Sequence, residues 1–190
     1  MQWLIGELEE NSQPIDLVGH DWGGAFVARV ACLLPDLLRS WVCDVTGLLH
    51  PNYVWHDFAQ IWQTPGAGEQ YFADTLAMPA EARVEPYASI GITPDVAAEL
   101  VAAGDEEMRR CGLALYRSAT QPAMVEWGAH AQDGAARPGM AMINTDDPFV
   151  NDHSLGEEMG RRMGAHIEVM EGFGHWWMLQ DPSHGAKVLE

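Results

Sequence analysis

The ten residues IDLVGHDWGG, Ile15–Gly24, decide how the amino-terminal part of this chain folds. The apolar run that opens the stretch predicts a buried strand, and the alanine-rich, apolar residues 25–34 predict a helix. The residues between them therefore form a sharp strand-to-helix turn with Asp21 at its apex. Three glycines within the stretch leave room for so tight a turn. The amino-terminal end of the helix would stabilise a negative charge on Asp21.

An aspartate at this apex has two interpretations. In the first, Asp21 is a nucleophile at a position where hydrolases more often carry serine. A carboxylate is ionised at neutral pH, so it attacks an electrophilic carbon without first losing a proton. In the second, Asp21 only caps the helix that follows the glycine turn. The flanking glycines favour the nucleophile.

The composition predicts an acidic globular protein with one core domain and an insertion. The 190 residues are enough for a sizeable core. A formal net charge of -18 disfavours nucleic acid and anionic membrane surfaces, because both bind basic patches. The three cysteines lack CxxC spacing, which favours free thiols in a reducing compartment. With neither a signal peptide nor a membrane-spanning run in the sequence, we expect a soluble cytoplasmic protein.

The order of strand and helix patterns predicts a mainly parallel α/β sheet. Strands are expected at residues 15–18, 40–45, 139–144 and 166–170. Ser154 and Glu157 form a capping-box pattern that predicts a helix ending before Gly164. Residues 47–137 are rich in Trp, Tyr, Pro and Gly, which predicts a block of short helices. The expected domains are a core of residues 1–46 and 138–190 and a helical cap of residues 47–137.

Two further loops follow predicted strands, where open α/β sheets bind their ligands. The loop NTDDPF, residues 144–149, contains Asp146 and Asp147, and the loop GFGHWW, residues 172–177, contains His175. A histidine that a carboxylate orients is a common general base. The chain therefore presents a nucleophile, an acid and a histidine in that order.

With the motifs GHDWGG, DDP and GFGH, the sequence resembles the α/β-hydrolase superfamily and, within it, the epoxide hydrolase and haloalkane dehalogenase branch. The resemblance runs from about Ile15 to Pro182 and is loose in the cap. It implies a partial α/β-hydrolase fold and a two-step reaction. Asp21 would form an alkyl-enzyme ester, and His175 would activate the water that hydrolyses it. The backbone N–H of Trp22 would donate to the oxyanion, and its indole N–H could bind a leaving halide.

Three aspartates are candidates for the acid that orients His175. Asp147 precedes a proline and best matches the position in the family. Asp44 lies at the end of the second predicted strand, where some dehalogenases carry their acid. Asp146 would serve if the loop were shifted by one residue. We rank them in that order, and the simpler role of the other two is to cap a loop.

Cap residues bear on the choice between epoxide and haloalkane chemistry. The resemblance implies a pair of lid tyrosines that protonate the departing alkoxide of an epoxide. Tyr116 matches one of them, and Phe58, which cannot donate, stands at the position of the other. The simpler interpretation of the other cap aromatics is an apolar lining. The remaining candidate donors are His56, Trp55 and Tyr53 and, for a halide, Trp62.

These features predict a hydrolase that acts through an aspartyl ester on a small apolar electrophile, with water as the second substrate. No pattern of metal or nucleotide ligands occurs in the sequence, so neither a cofactor nor a metal is expected. Epoxides are slightly favoured because of Tyr116, and a haloalkane dehalogenase is the alternative. The alternative of another class is a non-catalytic or truncated, inactive α/β-hydrolase-like protein.

The position of the predicted nucleophile strand in the sequence is the reason to consider a truncated, inactive protein. In the family this strand lies in the middle of a larger sheet, whereas about fourteen residues precede it here. The resemblance therefore implies that earlier strands are missing and that the apolar edge Ile15–Val18 is uncovered. An uncovered edge invites pairing with another chain, so we expect a homodimer or a higher assembly that buries this edge, or else a truncated product of a longer gene.

Overall fold

A computed structural model, which describes residues 2–11 and 13–190, contains a four-stranded parallel sheet with the order β1-β2-β3-β4. Its strands are β1 (Ile15–Gly19), β2 (Leu38–Cys43), β3 (Gly139–Asn144) and β4 (His166–Met170). The predicted parallel α/β sheet is confirmed. Strand β2 ends earlier than expected, because Val45 adopts a left-handed conformation with φ of 49° and turns the chain away.

Eleven helices are described along the chain. They are α1 (Gln2–Glu9), α2 (Trp22–Leu33), α3 (Asp57–Gln63), α4 (Ala67–Ala77), α5 (Ala80–Ser89), α6 (Pro94–Ala103), α7 (Glu106–Ser118), α8 (Ala123–Gly128), α9 (His153–Arg162), α10 (Trp177–Gln180) and α11 (Pro182–Leu189). Short 3-10 turns lie at Pro35–Leu37, Thr46–Leu49 and Ala131–Ala136. No helix in the described ranges is both long and apolar enough to cross a bilayer.

The chain divides into two units. The first comprises Met1–Val54, Pro122–Thr145 and Asp152–Gly172, and it contains the sheet. The second comprises Trp55–Gln121, Asp146–Asn151 and Phe173–Glu190, and it contains helices α3 to α7, α10 and α11. The expected boundaries of core and cap, at residues 47 and 137, remain a prediction.

Strand β1 lies at an edge of the described sheet and pairs with β2. It is not the buried strand that its apolar residues predict, since Asp16 is exposed and the side chain of Val18 is 48% exposed. Arg39 and Ser40 on β2 donate hydrogen bonds to the Asp16 carboxylate and lower its pKa to about 2. Pairing of this edge with a second copy remains a prediction.

Helix α2 follows β1 after a single turn and packs its small side chains against β1 and β2. The helix begins at Trp22, three residues earlier than the alanine-rich run predicts. Small residues let the helix approach the sheet closely, which is why most of α2 is buried. The fully buried positions include Ala25, Val27, Ala28, Val30 and Ala31.

Helix α9 begins with a different cap from the predicted one. Asp152 is the capping residue, and its carboxylate accepts the backbone N–H of Ser154 at 3.0 Å. Glu157, expected to complete a capping box with Ser154, instead forms an ion pair with Arg161. The predicted end is confirmed: Gly164 has φ of +72° and closes the helix in the left-handed region that favours glycine.

In the second unit, Arg117 on α7 ties three helices together. Its guanidinium forms two hydrogen bonds of 2.7 Å to Glu69 on α4 and donates to the backbone carbonyl of Trp62 at the end of α3. Glu69 also accepts the N–H of Gly66, and these contacts lower its pKa to about 2. The position of Trp62 within this unit is therefore fixed by its backbone as well as by its ring.

The three cysteines are free thiols, as expected. Cys32 and Cys43 are buried and Cys111 is exposed. Burial raises the pKa of Cys32 to about 11 and raises that of Cys43 well above its usual range. Both buried thiols thus stay protonated at neutral pH.

The glycines of the turn between β1 and α2 differ in how closely they are packed. A Cβ atom added to Gly19 would lie 2.3 Å from the carbonyl oxygen of Gly23, and one added to Gly24 would lie 2.7 Å from that of Asp44. A Cβ atom on Gly23 would have nothing within 4 Å. Two of the three glycines are therefore required by close packing, whereas Gly23 is not.

This difference predicts opposite effects of two alanine substitutions. Gly19→Ala forces the turn apart and should lower the free energy of unfolding by about 1–3 kcal/mol or more. Gly23→Ala, the matched control, has open space in the first turn of α2 and should leave stability unchanged or raise it by up to about 1 kcal/mol. Denaturant unfolding measures both. Equal destabilisation by the two changes would contradict the packing of the turn.

Candidate active site

Asp21 stands at the apex of the turn in a strained conformation. Its φ of 52° and ψ of -124° lie in a region that L residues other than glycine rarely adopt. Such strain costs about 1–3 kcal/mol and persists where the surrounding structure imposes it, often at functional sites. Asp21 occupies the N-cap position of α2, yet in the described chain its carboxylate accepts no capping hydrogen bond. This geometry favours the nucleophile over the simple cap.

Asp44, the residue directly after β2, forms hydrogen bonds to the turn. One carboxylate oxygen, Oδ1, accepts the backbone N–H of Asp21 at 2.8 Å. The other, Oδ2, lies 2.6 Å from Nδ1 of His20. Asp44 is only 2% exposed, so this carboxylate is buried against the turn that carries Asp21.

Asp147 and His175 form a buried pair within the second unit. Oδ2 of Asp147 lies 2.8 Å from Nδ1 of His175, and their side chains are 2% and 6% exposed. The backbone N–H of Phe149 donates to the other carboxylate oxygen at 2.8 Å. Because an ionised carboxylate only accepts, Nδ1 of His175 carries the proton and the lone pair of the neutral ring is on Nε2. This is the arrangement that a general base requires.

The three candidate acids thus have different surroundings. Asp147 is the one bonded to His175, whereas the carboxylate of Asp44 is bonded to His20 and to the turn. Asp146 is exposed, and its backbone N–H donates to the carbonyl of Phe173, which joins the two loops of the second unit. The loop register therefore favours Asp147 over Asp146 as the orienting acid.

A chain of aromatic rings connects His175 to the cap residues singled out from the sequence. The ring of Phe149 lies 4.8 Å from that of His175 and 5.0 Å from that of His56. The His56 ring in turn lies 6.0 Å from Trp62 and 6.3 Å from Tyr116. Trp62 and Tyr116 are 4.8 Å apart. All these rings belong to the second unit, so Tyr116, Trp62 and His56 share one apolar cluster with the histidine.

The candidate donors of the cap are not equivalent. The indole N–H of Trp55 donates to the carbonyl of Ala119, so the interpretation of Trp55 as a substrate donor is wrong. His56 caps α3, because its Nδ1 accepts the N–H of Ala59 at 3.2 Å. The neutral ring of His56 therefore carries its proton on Nε2.

Three other residues of the expected cap, Trp62, Phe58 and Tyr53, have different surroundings. Nε1 of Trp62 is buried and has no hydrogen-bond partner among residues 2–11 and 13–190. Phe58, at the position of the second lid tyrosine, is 46% exposed. Tyr53 belongs to the first unit.

The predicted site residues fall in both units. The first contains Asp21, Trp22 and Asp44, and the second contains His56, Trp62, Tyr116, Asp146, Asp147 and His175. Across the described part of the chain, no three side chains of His, Cys, Asp or Glu gather as metal ligands would.

Sequence reasoning missed two residues of the candidate site. His20 binds Asp44, and Phe149 bridges His56 and His175. The signal for His20 was present, since a histidine adjoins the apex of the turn and an acid ends the neighbouring parallel strand. Parallel strands bring their carboxyl ends to one edge of a sheet, and this places the two side chains together.

A model of the alpha/beta hydrolase family matches residues 2–186. No curated protein sequence matches the chain significantly. Among solved structures, the chain is similar to the haloalkane dehalogenase DbeA from Bradyrhizobium elkani USDA94, with 24% identity and a TM-score of 0.67, over 98% of this chain and 68% of that one. A loop variant of DbeA from Bradyrhizobium elkanii gives 22% identity and a TM-score of 0.68, over 99% and 70%.

The similarity extends to enzymes of other specificity. The N-formylmaleamic acid deformylase Nfo from Pseudomonas putida S16 has 11% identity and a TM-score of 0.71, over 98% of this chain and 70% of that one. Identities this low establish a shared fold and leave the reaction open. Together with the parallel sheet and the strained turn, the match over residues 2–186 identifies this chain as a member of the alpha/beta hydrolase family.

Proposed function

We propose that this protein is a hydrolase that acts through a covalent ester on Asp21, with epoxides as the leading class of substrate. The observation that carries the proposal is the conformation of Asp21. A carboxylate stands at the strained apex where the fold presents its nucleophile, and in the described chain it caps no backbone N–H of α2. A serine-type reaction is disfavoured because the apex carries no hydroxyl.

In the first step, a carboxylate oxygen of Asp21 attacks a carbon of the epoxide. The new C–O bond forms as the ring C–O bond breaks, and the electron pair moves to the ring oxygen. The hydroxyl of Tyr116 protonates that oxygen, which gives a hydroxyalkyl ester. The resulting tyrosinate recovers its proton from solvent. The ring contacts of Tyr116 with Trp62 and Trp55 support this role, since they hold its ring within the apolar cluster.

In the second step, water hydrolyses the ester. Nε2 of His175 removes a proton from the water, whose oxygen attacks the ester carbonyl of Asp21. The backbone N–H of Trp22 donates to the oxyanion that forms. Collapse of this intermediate breaks the C–O bond to the alkoxide, which takes the proton from the imidazolium of His175 and leaves as the diol. The carboxylic acid of Asp21 then loses its proton to solvent, which regenerates the carboxylate. Asp147 keeps the proton of the neutral ring on Nδ1 and stabilises the imidazolium that forms, which the buried hydrogen bond of 2.8 Å supports.

A haloalkane is the second candidate substrate, and one observation favours it. A departing halide needs hydrogen-bond donors and no proton. Within the described residues, the buried indole N–H of Trp62 has no partner, and Phe58 supplies no second hydroxyl. An unpartnered buried donor is costly unless a ligand accepts from it. Trp62 would then donate to the halide together with the indole N–H of Trp22.

The central experiment traps the ester. In His175→Gln the first step proceeds and the second is slowed by about 100-fold to 10,000-fold, so the ester should accumulate on Asp21. Mass spectrometry of a digest, after quenched incubation with a terminal aryl epoxide or a bromoalkane, locates the adduct on a peptide. Asp147→Asn should accumulate the same adduct.

Asp21→Ala is the matched control and should form neither ester nor product. Unchanged turnover in Asp21→Ala would contradict the proposal. A folded His175→Gln protein that forms no adduct with either substrate would instead support the non-catalytic alternative.

The two classes of substrate are separated by two conservative substitutions. Tyr116→Phe removes the proton donor, so it should slow ester formation from an epoxide by about 100-fold or more while affecting a bromoalkane little. Trp62→Phe removes the unpartnered indole N–H and should slow the bromoalkane by about 10-fold to 100-fold. Diol formation and halide release are the measurements. If Tyr116→Phe leaves epoxide opening unchanged, Tyr116 is not the acid.

A further inference from the structure

We propose that Asp44 and His20 are positioning residues that hold the nucleophile turn in its reactive conformation. The inference rests on the proposed function of Asp21 and assigns Asp44 to the ester-forming step. It differs from the alternative in which Asp44 orients His175 and therefore acts in ester hydrolysis.

Both carboxylate oxygens of Asp44 are already engaged at the turn. Oδ1 accepts the backbone N–H of Asp21 at 2.8 Å, and Oδ2 lies 2.6 Å from Nδ1 of His20. The carboxylate is almost fully buried and therefore needs hydrogen-bond partners. These two contacts supply them. Hydrogen bonds to a charged acceptor are stronger than those between neutral groups.

The strained backbone of Asp21 needs contacts that fix it. The carbonyl of Asp21 accepts the N–H of Ala25 at 3.2 Å, as in the first turn of a helix. The carbonyl of His20 accepts the N–H of Gly23 at 2.8 Å. The N–H of Asp21 lies outside this helical pattern, and Asp44 binds it. A positive φ at a residue with a side chain persists only when such contacts fix it.

Asp44 is closely packed against the first turn of α2. A Cβ atom on Gly24 would lie 2.7 Å from the carbonyl oxygen of Asp44 and 3.2 Å from its Oδ1. The backbone of α2 therefore lies directly against this residue. His20 holds the other carboxylate oxygen, so the Asp44 side chain cannot rotate away without losing both contacts. The pair thus restrains the direction in which Asp21 projects.

The first test measures the turn itself and needs no catalysis. Hydrogen exchange of the Asp21 amide, followed by NMR in the complete chain, should accelerate at least about 10-fold in Asp44→Ala, because the amide loses its acceptor. Asp44→Asn keeps one side-chain oxygen for this N–H and should restore most of the protection. If Asp44→Ala does not fold, His20→Ala replaces it and should show a smaller acceleration. Unchanged exchange in a folded Asp44→Ala or His20→Ala protein would overturn the proposal.

The second test asks which chemical step depends on Asp44. In single turnover, Asp44→Ala should form the Asp21 ester about 100-fold more slowly, because a misplacement of about 1 Å costs roughly that factor. The ester should not accumulate. Asp147→Asn, in contrast, should form the ester and retain it. Accumulation in Asp44→Ala at the level seen in Asp147→Asn would overturn the assignment.

The two tests also separate this inference from the proposed function. If no variant forms an ester, including His175→Gln, the proposed function fails. The exchange of the Asp21 amide still decides whether Asp44 holds the turn.

Discussion

The strained turn between β1 and α2 is the constraint on which the candidate chemistry depends. Asp21 has a φ of 52°, a conformation that is costly for a residue with a side chain. Gly19 and Gly23 approach each other so closely that Gly19 has no room for a Cβ atom. The buried carboxylate of Asp44 opposes that strain by binding the Asp21 amide. The turn is therefore maintained by contacts with the neighbouring strand, and the sequence of the turn alone does not account for it.

In the second unit, buried hydrogen bonds fix the candidate acid and histidine. The hydrogen bond between Asp147 and His175 is buried, and the carboxylate also accepts the N–H of Phe149. Such a pair is stable only when its hydrogen bonds are made, and here each carboxylate oxygen has a partner. Aromatic rings from Phe149 to Tyr116 then extend an apolar surface from the histidine into the cap helices. The proposal of a small apolar substrate rests on these apolar surroundings.

Local patterns predicted much of this arrangement, and contacts between distant segments account for the rest. Strands β3 and β4 occur at the predicted residues because their apolar runs are bounded by clear turn residues. The start of α9 differed because Asp152, two residues before the predicted cap Ser154, is the residue that caps the helix.

The same distinction holds for the site. Asp21 and His175 were recognised from short motifs, whereas Asp147 was separated from Asp44 only by the loop geometry that bonds it to His175. The hydrogen bond of Trp55 to Ala119 joins residues 64 positions apart, which no local pattern reveals.

The measurement that tests the covalent route most directly is a single turnover of excess enzyme in water enriched in oxygen-18. The account predicts unlabelled product and one heavy oxygen in the Asp21 carboxylate, because water attacks the ester carbonyl. Labelled product with an unlabelled Asp21 would contradict it.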